Sequence, residues 1–89
     1  MQTEDYIKLI NEIIQKQSDI LGPDIAIQKA KNVSGLFVSD TGEVEELKGE
    51  ATAVLQDLVN EYIALSGQIV KNVLSPVFKK YPSVDLKLN

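Results

Sequence analysis

From Ala51 to Lys80 the chain carries Val54, Leu55, Leu58, Val59, Tyr62, Ile63, Leu65, Ile69, Val70, Val73, Leu74, Val77 and Phe78. Between them Asp57, Asn60, Glu61, Gln68, Lys71, Asn72, Ser75 and Lys79 fall at helical spacing and trace only a narrow polar stripe. The spacing predicts a long helix over 51–80. So little wettable surface requires cover on more than one side. Pro76 removes the hydrogen bond to the Asn72 carbonyl and predicts a kink near it. Tyr81-Pro82 ends the run in any case.

The rest of the chain offers limited cover. At 89 residues and no cysteine, it is one domain without disulfide staples, and a lone core of this size is thin. Ile7, Ile10, Ile14 and Leu21 form a helical stripe widened by Tyr6 and Ile13, with Glu4 and Asp5 suited to the helix N-terminus, predicting a helix over 3–21. Gly22-Pro23 stops it, and proline is tolerated as the first residue of a following helix. Ala26, Ile27, Ala30 and Val33 predict a short helix over 24–33, ended by Ser34-Gly35. Leu36-Phe37-Val38, the turn-forming Ser39-Asp40-Thr41-Gly42 and the segment up to Leu47 predict a β-hairpin over 36–47. Past Pro82 the period changes to two: Val84, Leu86 and Leu88 alternate with Asp85 and Lys87, the pattern of a half-buried strand over 83–88. The expected fold is α+β and predominantly helical.

Length turns this pattern into an expectation about partners. Thirty straight helical residues measure about 45 Å, whereas a compact chain of this size is only about 31 Å across. A straight helix would overhang its own globule with an apolar surface, the mark of an interaction site. The expectation is an intertwined or helix-packed homodimer, with Leu58, Tyr62, Leu65, Ile69, Val73 and Val77 at the interface. Gly67, near the middle of the helix, would sit where two helices cross closely. If the pair were antiparallel, the alternating tail could add a strand to the partner's hairpin.

Composition excludes most chemistry. Without histidine or cysteine there is no imidazole base, no thiolate nucleophile and no common zinc site. The serines carry no nucleophile-elbow motif, and the five glycines are scattered rather than gathered into a phosphate loop. Lys48 and Lys71 lie near apolar neighbours, where snorkelling explains them. Asp40, Glu43, Glu45, Glu46 and Glu50 form the one dense polar group, but they lack the regular ligand spacing of a calcium loop. No catalytic residue, metal or cofactor is expected.

All nine basic residues are lysines, dispersed along a chain of net charge −4. Such a balance disfavours nucleic acid and anionic membrane surfaces. An acidic start and the lack of a bilayer-length apolar run predict a cytoplasmic protein. The expected function is a non-enzymatic dimerisation or protein-interaction module, such as a regulatory accessory protein. The alternative is a sensor of a small apolar ligand, with its pocket between paired helices.

Overall fold

A computed structural model describes residues 2–81; of residues 66, 68, 69 and 70 it describes the backbone alone. The fold is α+β, mostly helical, with a small antiparallel two-stranded sheet. Helix α1 spans Thr3–Leu21 and α2 spans Pro23–Lys31. Strands β1 (Leu36–Val38) and β2 (Val44–Leu47) precede the long helix α3, Ala51–Lys79. The strand expected over 83–88 lies outside the described residues.

Helix α1 turns Leu9, Ile10, Ile13, Ile14 and Gln17 into the core. At its start the Asp5 carboxylate accepts the Gln2 backbone N–H at 3.0 Å, occupying one of the donors that a helix N-terminus leaves open. Gly22 ends α1, its N–H reaching the Ser18 carbonyl at 3.0 Å, and Pro23 opens α2 directly. Ala26 and Ala30 are the buried face of α2. The short helix therefore begins one residue earlier than its sequence pattern implies and stops at Lys31 rather than at Val33.

The hairpin pairs Leu36 with Leu47, Phe37 with Glu46 and Val38 with Val44, with an irregularity between Phe37 and Val38. A bulge there bends the strand and leaves ladder groups to be satisfied elsewhere. One of them, the Val44 N–H, donates to the Asn11 side chain of α1 at 2.9 Å, which ties the hairpin to the helix layer. The hairpin also closes on Gly35, whose φ is +84°. A Cβ at this position would stand 2.4 Å from the Lys48 carbonyl oxygen, so the close approach of the two chain segments requires glycine.

Helix α3 is where sequence pattern and structure part. A straight 29-residue helix would measure about 43 Å, but the longest extent of the molecule is 28 Å. Tyr6 of α1 is hydrogen-bonded to Thr52 at the start of α3, at 3.1 Å. Ten residues later the Tyr62 hydroxyl donates to the Ala26 carbonyl at 2.8 Å, in the first turn of α2 after the corner that ends α1. Lys80 nevertheless pairs with Glu12, midway along α1, at 2.8 Å. The helix has come back.

It turns at Gly67, whose φ of +26° lies in the left-handed region. An L side chain there would be strained, and glycine is not. Residues 51–66 form an outgoing arm and residues 68–79 a returning one. Helical structure carries through Pro76 to Lys79, so the proline does not end the helix. The overhanging rod is replaced by a helix folded against its own globule. Leu74 and Val77 of the returning arm join the core with Val54, Leu55, Leu58, Val59 and Tyr62 of the outgoing one.

Candidate interaction surface

The residues expected at a helix interface occupy very different places. Leu58, Tyr62 and Val77 are buried inside the chain. They pack within one copy, and none of the three lies on its surface. Val73 is partly buried against the same core. The side chain of Ile69 lies outside what the structure describes. Gly67 carries the left-handed φ of the turn, and within one copy a Cβ added to it would meet nothing within 4 Å.

Leu65 is the described member of the set that faces solvent, at 43% exposure. It stands about one helical turn beyond Tyr62, next to the reversal. Ile20 and Ile25, 40% and 50% exposed, flank the Gly22-Pro23 corner. The Tyr62–Ala26 hydrogen bond brings this corner to the same end of the molecule as Leu65. Three large apolar side chains thus share the end where α3 turns. Phe37, also exposed, is separate: it lies on the hairpin with the Lys48 ammonium 5.4 Å from its ring centre.

Sequence reading missed Ile20 and Ile25 as surface residues because both belong to helices with a good apolar stripe. It also missed Gln17. This side chain is fully buried, and neither its amide nitrogen nor its amide oxygen has a hydrogen-bond partner among the described residues. Its spacing from Ile10, Ile13 and Ile14 was the available signal, since it completes their stripe. Leaving a buried amide unpaired costs about 1–3 kcal/mol.

Polar clusters are held as surface pairs. Asp40 at the hairpin tip pairs with Lys31 of α2, and hydrogen bonding to that ammonium, with its charge, holds the Asp40 carboxyl below the usual carboxylate range. Glu46 lies 3.8 Å from Lys48. Glu43, Glu45 and Glu50 point into solvent. Among the described residues no group of three or more acidic side chains converges as a metal site would require. Burial pushes the Tyr62 phenol well above its ordinary range, so it serves as a neutral donor to Ala26.

Two of the surface clefts are lined wholly by described residues. One, of about 350 Å³, is lined by Asn32, Val33, Ser34, Asp57, Asn60 and Glu61. The other, of about 360 Å³, is formed by Asp24, Ile27, Gln28, Lys31 and Asp40. Both linings are mainly polar and charged, unlike the pocket an apolar ligand needs. Among the described residues no helix is long and apolar enough to cross a membrane. Comparison with protein-family models, curated proteins and solved structures finds no match for this chain.

Proposed function

We propose that this chain is a non-enzymatic dimerisation module, an accessory protein of the cytoplasm whose partner is a second copy of itself. The reading is carried by the exposure of Ile20, Ile25 and Leu65 together at the end where α3 turns. Apolar side chains gathered at one end of a small globule gain free energy by covering one another. A two-fold arrangement would place each patch against its own copy. A chain of this size also gains proportionally more from association than a large one, because its own core is thin.

Light scattering across a concentration series tests the reading. The wild-type chain is expected to pass from monomer to dimer as concentration rises. Leu65→Glu introduces a charge that association would desolvate, and the midpoint should move up by about tenfold or more. Circular dichroism should stay unchanged, since Leu65 is outside the core. A wild-type chain that remains monomeric at high micromolar concentration would rule out this function.

A further inference from the structure

The closed chain breaks two local rules. Gly67 holds a left-handed φ of +26° inside a run that is otherwise helical from Ala51 to Lys79. Gln17 is sealed in the core with an unpartnered amide. Violations of this kind gather where a sequence serves more than one arrangement. The arm beyond Gly67 supplies its own set of contacts: Leu74 and Val77 are in the core, and Val73, Phe78 and Tyr81 pack against it. Lys80 closes the set on Glu12. Each of these contacts links the arm to the rest of the globule, so an arm from a second copy can make the same ones.

We propose that the returning arm of α3 together with Lys80 and Tyr81 exchanges between two copies of this chain by straightening of the helix at Gly67. The inference rests on the dimerisation reading and specifies its architecture. In the exchanged dimer each globule receives Leu74, Val77 and Lys80 from its partner, and α3 runs on through Gly67 as a straight helix. The apolar period of α3 persists on both sides of Gly67, from Leu55, Leu58 and Tyr62 to Val73 and Val77, as an unbroken helix requires. Two straightened helices would pass each other at the hinge. Leu65, exposed beside Gly67 in the closed chain, would be covered there. Exchange of an identical element retains the contacts of the monomer, and the hinge sets the balance between the two forms.

Gly67→Ala isolates the hinge. A methyl group at this position meets nothing within 4 Å, so the substitution alters backbone preference without a clash. Alanine disfavours the left-handed turn and favours the straight helix. Both effects act in each of two chains, and the dimer dissociation constant should fall at least about hundredfold.

The exchange itself is read by zero-length carbodiimide coupling of Lys80 to Glu12, an ammonium and a carboxylate 2.8 Å apart. Unlabelled and nitrogen-15-labelled wild-type chains are unfolded together, refolded at high concentration and coupled, and the dimer fraction is digested for mass spectrometry. Exchange predicts that about half of the Lys80–Glu12 links in the dimer join one labelled and one unlabelled peptide. Dimers whose links are all within one isotope would overturn the exchange and leave the dimerisation reading standing. Absence of dimers in the wild type would overturn both. If Gly67→Ala fails to fold, the wild-type link pattern still decides the matter.

Discussion

The two arms of α3 share a helical pattern but not an anchorage. The outgoing arm buries Val54, Leu55, Leu58, Val59 and Tyr62, and it is pinned near each end by the hydrogen bonds Tyr6–Thr52 and Tyr62–Ala26. The returning arm fully buries Leu74 and Val77, while Val73 and Phe78 are partly covered. Its described side-chain tie to α1 is the Lys80–Glu12 pair on the surface. Stability is not uniform across a fold, and an element with fewer buried contacts, here the returning arm as judged by its described side chains, opens first. The contrast teaches that the outgoing arm makes the globule and the returning arm closes it.

Truncating the core on each side of the turn puts the largest strain on that contrast. Leu58→Ala should cost about 3–5 kcal/mol, a large part of the few kcal/mol that hold a domain of this size together. Leu74→Ala should cost nearer 2–3 kcal/mol, because a lightly held arm can relax into part of the space left behind. Urea denaturation gives both values. Hydrogen exchange separates the mechanisms: Leu58→Ala should lower protection throughout, whereas Leu74→Ala should lower it first in the returning arm. Equal loss in both arms for Leu74→Ala would show that α3 opens as one unit.

Gln17 gives an effect of intermediate size and opposite sign. Gln17→Leu removes an unpaired buried amide and keeps similar volume, so thermal stability should rise by about 1–2 kcal/mol. A fall would mean that the amide has a partner on which the core depends.

The pH dependence is the smallest effect. Hydrogen bonding to Glu12 and attraction to its charge raise the Lys80 pKa above its ordinary value. That pair therefore contributes at and below the ordinary lysine range, and its contribution is lost as pH rises through the raised value. Asp40 is lowered by Lys31, so that pair contributes above the ordinary carboxylate range and is lost as pH falls through the lowered value. With no histidine in the chain, no side chain titrates in between at its ordinary pKa. Stability should be nearly flat from about pH 6 to 9. The pairs are exposed and should respond weakly to both pH and salt. On the alkaline side, the loss should appear first in protection of the returning arm.

Much of this fold could be read from residue patterns. The stripe of Ile10, Ile13 and Ile14 specifies α1, Gly22-Pro23 separates α1 from α2, and Ser39 to Gly42 has the chemistry of a hairpin turn. The long helix was also legible, as was its need for cover on several sides. What supplies that cover was not. A helical period continues across a turn that interrupts the axis at a single residue, and one glycine reads alike in a straight helix and in a reversal. The apolar excess around Leu74 and Val77 fits a second copy and a folded-back arm equally well. For the same reason Leu58, Tyr62 and Val77 read as interface residues from their spacing, and within one copy they are buried in the core. Gln17 escaped because a polar side chain at a core position carries no mark in the sequence beyond its spacing.

The reversal at Gly67 can be measured directly. Ala53 and Lys79 are exposed near opposite ends of α3, and the chain has no native cysteine. Spin labels on Ala53→Cys and Lys79→Cys, read by pulsed electron resonance in dilute monomer, report the distance between the ends. A folded-back helix predicts a principal distance within the 28 Å extent of the molecule. A single distance near 39 Å, the length of a straight helix over those residues at about 1.5 Å per residue, would contradict it.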